Sequence, residues 1–141
     1  MFDGGGQDIG ILLDESYRTL LVELNLIVSF DAREPPSIYL TRGIFFDRAN
    51  CIGNAYLNKA YVTNHSYALQ EIHGGTPNVF GYYRVVPGSQ PVDVVTVSRP
   101  NGSRPGNCLN FQEELFAYPL EPIVLPFHEP LAWPFKVGIV Q

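Results

Sequence analysis

The sequence predicts an all-β protein: a single antiparallel β-sandwich or partly open barrel with very little helix. Short apolar stretches alternate with turn signals at intervals of roughly 8–12 residues, as in sandwiches and barrels. Thirteen glycines and twelve prolines among 141 residues suit many short strands and turns. The sequence lacks the alternation of strand and helix patterns that would indicate a parallel sheet. The best helical stretch, residues 112–117, would form at most a turn or two.

The most regular pattern in the chain runs from Leu20 to Phe30. Every even position in this stretch is apolar, and neither Gly nor Pro interrupts it. Because side chains alternate between the two faces of a strand, the pattern predicts one long strand whose even positions, including Leu24 and Leu26, face the interior. We expect the other strands to pack against this one.

Shorter strands are predicted before and after this stretch. Gly43 should interrupt one of them with a bulge or bend. The run from Val92 to Ser98 is apolar and β-branched on both faces, which predicts burial on both sides. The predicted strands are 9–13, 38–47, 55–62, 67–72, 79–86, 92–98 and 137–140.

The length predicts one β domain over residues 8–141, preceded by a flexible linker over residues 1–7. The glycine-rich start lacks the basic and apolar regions of a signal peptide. The chain is therefore either a cytosolic or virion-borne protein or a piece of a longer secreted chain with Met1 supplied for expression, and we favour the second. Prolines recur every three or four residues over 119–134, which predicts an extended C-terminal segment wrapped over the domain, because proline cannot donate to a strand ladder. Its buried residues should be Leu125, Phe127, Leu131, Trp133 and Phe135.

Cys51 and Cys108 are the only two cysteines, and their spacing is not that of a CxxC metal or redox site. Both lie beside turn residues, and we predict that they form a disulfide. Closing a loop of roughly 57 residues would stabilise the fold by about 4 kcal/mol. The alternative is two unpaired buried thiols in a reducing compartment. A disulfide would indicate an oxidising, extracellular or cell-surface location.

The charge balance argues against several function classes. A net charge of −5 with scattered arginines disfavours nucleic-acid binding, and no apolar run is long enough for a membrane span. No phosphate loop, dinucleotide fingerprint or nucleophile elbow is present. His65, His73 and His128 lie in predicted loops without ligand partners at suitable spacing. We therefore expect no cofactor and no metal site, and the sequence favours a non-enzymatic protein.

Aromatic side chains are the remaining candidates for function. Tyrosine combines an apolar ring with a hydroxyl, which suits a protein interface or stacking on a sugar. The tyrosines exceed what a small core can hide, and Tyr56, Tyr67 and Tyr118 belong to this surplus. The residues predicted to bind a ligand are Tyr61, Tyr82, Tyr83 and Trp133.

Four stretches together resemble a known group of proteins. They are GQDIGILLD at 6–14, IFFDRANCIGNAY at 44–56, YYRVVPG at 82–88 and LPFHEPL at 125–131. This set resembles uncharacterised β domains at the ends of bacterial surface proteins of collagen-like or tail-fibre-like type. Asn50 stands where that pattern has an acidic residue before the cysteine. The resemblance implies a secreted, non-enzymatic head domain, with a homotrimer among its assemblies, and it carries over no catalytic residue.

These observations predict a non-enzymatic extracellular binding or structural module of a bacterial surface or virion-associated protein. Its expected partners are a protein or glycan on a surface, or further copies of itself, because the proline-rich segment and aromatic strands offer apolar surface. Two alternatives belong to other classes. One is a small β-barrel enzyme or metal-dependent protein that uses His65, His73 or His128. The other is a small-ligand carrier with a cavity lined by Phe45, Tyr56, Tyr83 and Trp133.

Overall fold

The computed structural model describes residues 1–31, 37–39, 43–62, 71–73, 81–101 and 107–137, with the backbone alone for 37–39. The predicted all-β class is confirmed, since the strands form two antiparallel sheets and the helical residues of the described chain lie in two short 3₁₀ turns. The strands are β1 (Ile11–Leu12), β2 (Arg18–Leu21), β3 (Leu26–Asp31), β4 (Ser37–Tyr39), β5 (Ile44–Phe46), β6 (Ala55–Asn58), β7 (Tyr82–Val85), β8 (Val92–Pro100) and β9 (Cys108–Ile123). The 3₁₀ turns are η1 (Ala49–Cys51) and η2 (Lys59–Tyr61).

The chain divides into two compact units, where the sequence suggested one domain over residues 8–141. The terminal unit consists of Met1–Tyr39 and Val124–Gln141, and the central unit consists of Leu40–Ile123. The proline-rich segment 119–134 is therefore shared: its first residues belong to the central unit and the rest to the terminal unit.

The sheet of the terminal unit has the order β1-β2-β3-β4, with each strand antiparallel to the next. The predicted single strand from Leu20 to Phe30 is wrong, because the chain turns back within it. Leu21 pairs with Leu26, and Asn25 at the end of the turn has φ +50°, a left-handed conformation that Asn tolerates. The turn places Leu21 on the same buried face as Leu26 and Val28. Leu24 lies in the turn and is half-buried.

Residues 1–7, which the sequence suggested as a flexible linker, belong to the terminal unit. Phe2 pairs antiparallel with both Asp8 and Lys136. Met1 and Asp3 are buried. The proline-rich segment opposite them buries Phe127 and Leu131 as predicted, whereas Leu125 and Phe135 are half-buried and Trp133 is exposed.

The sheet of the central unit has the order β6-β5-β8-β9-β7, with a further pairing between β6 and β9. Strands β5, β6, β9 and β8 therefore form a closed ring of paired strands. The core of this unit is built from Ile44, Phe46, Cys51, Ala55, Leu57, Val85, Tyr118 and Leu120.

Strand β9 is sixteen residues long and includes the stretch 112–117, so the predicted helix there is wrong. Its pairing with three neighbouring strands outweighs the helix propensity of the stretch. Pro119 and Pro122 also lie within β9, opposite Tyr56 and Tyr83. Pro119 still contributes its carbonyl, which accepts a hydrogen bond of 3.0 Å from the Val86 N–H.

Two predicted strands, 67–72 and 137–140, fall mostly outside the described residues. In the described part of the chain, no helix has the length and apolar character that crossing a bilayer requires.

Candidate interaction surface

The predicted disulfide between Cys51 and Cys108 is present, with a Cα–Cα distance of 5.9 Å. It ties η1 to the first residue of β9. Asn50 and Cys51 both have left-handed backbones, with φ +65° and +56°. The Asn50 N–H donates to Oδ1 of Asn110 at 2.8 Å, and Nδ2 of Asn110 donates to Oδ1 of Asn50 at 3.1 Å. Asn50 is therefore suited to this turn by its backbone tolerance and its side chain together.

Ser98 of β8 forms hydrogen bonds to the backbone of the loop that contains η1. The Cys51 N–H donates to the Ser98 hydroxyl at 2.9 Å, and that hydroxyl donates to the Arg48 carbonyl. Ser98 is buried, so these hydrogen bonds satisfy groups that would otherwise be costly to bury. The disulfide and Ser98 together hold β8 and β9 firmly at one end of their pairing.

Strands β8 and β9 form a long antiparallel ribbon, and one of its faces is exposed. Asp93 pairs with Phe116, and Val95 pairs with Glu114. Cross-strand partners project from the same side of a sheet, so these four residues share a face, which we call the ribbon face. All four are exposed; Phe116 retains 50% of its accessible area and Val95 47%. The apolar pair and the acidic pair lie on opposite diagonals.

A bulge interrupts the ribbon between the ribbon face and the disulfide. Between the pairs Thr96–Glu113 and Ser98–Asn110, β9 contains one residue more than β8. Phe111 lies in this irregular stretch and is 59% exposed, the largest exposed fraction of any phenylalanine in the described chain. A bulge re-aims side chains, which accounts for an aromatic ring directed into solvent.

The ribbon face corrects one expectation from the sequence. The run from Val92 to Ser98 was predicted to be buried on both sides, but Val92, Asp93 and Val95 are exposed while Thr96 and Ser98 are buried. The available signal was Asp93, because a carboxylate within an otherwise apolar run is rarely buried without a partner. Nothing in the sequence singled out Phe116 or Val95.

The ribbon face carries uncompensated negative charge among the described residues. Arg99, the nearest arginine along β8, has its Nη1 3.6 Å from Oε1 of Glu113, and its guanidinium carbon lies 5.8 Å from the centre of the Phe45 ring. No ion pair in the described chain involves Asp93 or Glu114. The face is therefore apolar along one diagonal and acidic along the other.

The predicted ligand-binding aromatics are dispersed in the structure. Tyr82 and Tyr83 are consecutive in β7 and project to opposite faces; Tyr83 packs edge-on against Phe46, with 6.1 Å between ring centres. Burial raises the pKa of the Tyr83 hydroxyl. Tyr61 lies on η2 and is exposed, with its ring beside Gly43. Trp133 belongs to the terminal unit.

The other tyrosines of the surplus differ in burial. Tyr118, counted among the surface candidates, is instead buried in the core, and burial raises its pKa. Tyr56 is half-buried, and Tyr67 lies outside the described residues. The prediction that Tyr118 lies at the surface was wrong because it came from a count of tyrosines. The core enclosed by the closed ring of strands has room for a large aromatic side chain.

The residues of the two alternative functions are also spread over the chain. His73 is buried in the central unit, where its backbone exchanges hydrogen bonds of 2.8 and 3.0 Å with Tyr83. His128 is exposed in the terminal unit, and His65 lies outside the described residues. Within the described ranges, no group of three or more His, Cys, Asp or Glu side chains is placed to hold a metal ion. Of the residues predicted to line a ligand cavity, Phe45 and Tyr56 are a cross-strand pair in the central unit, and Phe45 is buried.

Comparison with protein families, with curated proteins and with solved structures gave no match for this chain.

Proposed function

We propose that this protein is a non-enzymatic extracellular binding module of a bacterial surface or virion-associated protein, and that its ribbon face contacts another protein. The observation that carries the proposal is the exposed apolar diagonal of Val95 and Phe116 on a ribbon anchored by a disulfide. Large apolar side chains held in solvent by a rigid scaffold are typical of interaction sites, because exposing them costs free energy that a partner recovers.

The chemistry of the face favours a protein partner over a glycan. Sugar-binding sites use the hydroxyl of Tyr or the indole N–H of Trp as well as the ring face, whereas Phe116 and Val95 offer no polar atom. An aromatic and aliphatic centre beside charged residues is the usual anatomy of a protein interface. Asp93 and Glu114 would favour a partner that presents Lys or Arg around an apolar patch.

The disulfide supports the extracellular part of the proposal. Disulfides persist in oxidising environments and are rare in reducing ones. The bond between Cys51 and Cys108 stabilises the base of the ribbon, so in this proposal the same feature sets both the compartment and the rigidity of the binding surface.

A display library of secreted proteins, panned against the immobilised full chain, tests the proposal. Binders would be measured against the wild type, a Val95→Ser plus Phe116→Ser variant, and a Val124→Ser control. Val124 is 86% exposed and lies beyond the end of β9. We expect enriched binders to lose about tenfold or more in affinity with the double variant, since central apolar residues dominate binding energy. The control should change affinity by less than about twofold, as expected for exposed positions outside an interface.

Three results would overturn this assignment. The first is a set of binders that bind the double variant as tightly as the wild type, and the second is the absence of any enriched binder. The third is light scattering that shows concentration-dependent association of the wild type and none of the double variant, which would make a second copy the partner of this face.

A further inference from the structure

The terminal unit contains an open groove of about 520 Å³ beside β1. Three exposed apolar side chains line it, namely Ile11, Val22 and Val137, which retain 54%, 59% and 67% of their accessible area. Two exposed carboxylates, Asp8 and Glu23, line it as well, together with Met1, whose ammonium group donates a hydrogen bond to the Gly10 carbonyl. The groove belongs to a different unit from the ribbon face and shares no residue with it.

The groove runs along a sheet edge whose backbone N–H and carbonyl groups are open to a further strand. In the described residues β1 is the edge strand of its sheet and pairs with β2. The Leu13 N–H donates to the Arg18 carbonyl at 2.7 Å, so Leu13 directs its N–H toward β2 as a member of a hydrogen-bonded pair does. In an antiparallel ladder such pairs alternate with non-hydrogen-bonded ones. Leu12, opposite Thr19, therefore directs its N–H and carbonyl away from β2, toward the open side.

The negative charge of Asp8 and Glu23 favours a cationic partner in the groove over a second copy of this chain. No ion pair among the described residues involves Asp8 or Glu23. Lys136 and Asp8 both pair with Phe2, one on each side of it. The backbone segments that carry Lys136 and Asp8 are therefore two strand spacings apart, about 10 Å. A second copy would carry the same two carboxylates and the same net charge of −5, so like charges would oppose its association at this edge. A cationic partner would meet attraction instead.

We propose that this groove binds an extended peptide segment of another protein that carries Lys or Arg between small apolar residues. The segment would lie beside β1, exchange backbone hydrogen bonds with Leu12, place its apolar side chains over Ile11 and Val22, and direct its cation toward Asp8 and Glu23. Addition of a strand at a free edge takes affinity from the backbone and specificity from alternate side chains.

Nuclear magnetic resonance titration of the full chain tests this proposal. The probe is the acetylated and amidated pentapeptide Val-Lys-Val-Lys-Val, and Val-Glu-Val-Glu-Val is the matched control peptide. We expect saturable shifts of the Ile11, Leu12 and Val22 amides with the lysine peptide, and none with the glutamate peptide. Asp8→Asn and Glu23→Gln should each weaken binding by about two- to fivefold, the range for exposed ion pairs. Glu15→Gln, an exposed carboxylate outside the groove lining, should leave it unchanged.

Three results would overturn the proposal: equal binding of both peptides, saturable shifts confined to other residues, or no shift of these amides at millimolar peptide. Shifts of the same amides on raising the protein concentration alone would also overturn it and would assign the groove to a second copy. None of these results bears on the ribbon face, because Val95 and Phe116 are not part of the groove.

Discussion

The two units of this chain are both antiparallel sheets, but their chain segments are held together in different ways. In the terminal unit a buried carboxylate joins the two ends of the chain: Oδ1 of Asp3 accepts the N–H groups of Gly5 and Gln7, and Oδ2 accepts the Gln7 side-chain amide and the Ala132 N–H, each at 3.0 Å. In the central unit a disulfide and a continuous apolar core perform the corresponding task.

Aromatic contacts support the polar connection in the terminal unit. Phe30 packs against Phe127 and Phe135, with ring centres 5.9 and 5.4 Å apart, and Tyr17 contacts Phe135 at 5.8 Å. The comparison shows that one chain can join distant segments by two routes with different sensitivities. A hydrogen-bonded carboxylate responds to pH, whereas a disulfide responds to redox conditions.

The largest effect is expected from removing the disulfide. Cys51→Ser combined with Cys108→Ser should lower the free energy of unfolding of the central unit by about 4 kcal/mol, because the bond closes a loop with a sequence separation of 57. Hydrogen exchange of the Leu57 and Tyr118 amides would measure this loss.

Fluorescence of Trp133, the one tryptophan of the sequence, reports on the terminal unit and provides the contrast. Reduced wild-type protein should match the double variant. If the Trp133 transition moved by the same amount as the central amides, the two units would not be stabilised separately, and the comparison would fail.

A smaller loss is expected from Gly4→Ala in the terminal unit. A Cβ at Gly4 would overlap the carbonyl oxygen of Trp133 and would lie 2.5 Å from its carbonyl carbon, and backbone cannot yield as a side chain can. We expect a loss of about 3 kcal/mol, at the upper end of overpacking effects. Gly5→Ala is the matched control, since its nearest contacts are ordinary ones at 3.5 and 3.8 Å. Thermal unfolding followed by Trp133 fluorescence distinguishes them, and equal losses would contradict the close approach of the two segments.

A pair of neighbouring hydroxyls on β8 should respond in opposite directions. Ser98→Ala removes the acceptor of the buried Cys51 N–H and should cost about 1–2 kcal/mol. Thr96→Val should raise stability by up to about 1 kcal/mol, because the buried Thr96 hydroxyl has no hydrogen-bond partner among the described residues. Chemical denaturation of both variants measures the difference. A loss with Thr96→Val as large as that with Ser98→Ala would show that the Thr96 hydroxyl is satisfied.

The smallest effects near neutral pH come from the titration of buried and half-buried side chains. The stability of the two units should depend on pH in opposite directions. Burial alone would raise the pKa of Asp3, but hydrogen bonds from Ala132, Gln7 and Gly5 outweigh burial and lower it below 3.8. The folded terminal unit thus favours the carboxylate, and its stability should fall as pH drops below about 3.8 through the folded pKa. Burial raises the pKa of Tyr83 and Tyr118 above 10.0. The folded central unit favours the neutral phenols and should lose stability as pH rises past about 10.

Unfolding measured against pH tests both signs. Asp3→Asn should remove the acid dependence seen by Trp133 fluorescence, while lowering stability at neutral pH because a charged acceptor of four hydrogen bonds is lost. Tyr83→Phe should reduce the alkaline dependence seen at the central amides. An acid transition that persisted unchanged in the Asp3→Asn variant would assign the pH sensitivity to another group.

Local patterns predicted part of this fold well. The low content of helix signals and the frequent turn residues gave the correct class, and the lone cysteine pair gave the correct disulfide. Periodicity failed between Leu20 and Phe30, because a four-residue turn with Asn25 in a left-handed conformation preserves the alternation while reversing the chain. It also failed at 112–117, where pairing with neighbouring strands decided the conformation.

The candidate surfaces were harder to predict than the fold. The tyrosines and Trp133 were prominent in composition, yet composition does not specify which strand faces remain uncovered. Phe116 and Val95 share the ribbon face because of the register between β8 and β9, and Asp8 lines a groove with Glu23 because residues 1–10 pack within the terminal unit. Both relations join residues that are distant in sequence, so no local pattern could reveal them.

The sequence by itself determined that this chain forms strands and turns, and that the only possible disulfide within it joins Cys51 to Cys108. These outcomes follow from local backbone preferences and from there being a single possible pairing. The tertiary structure alone decided that the chain forms two compact units, that Asp3 joins the chain ends, and that the ribbon face is exposed. Those outcomes depend on which segments meet, and the free energy of such contacts is distributed over residues that lie far apart along the chain.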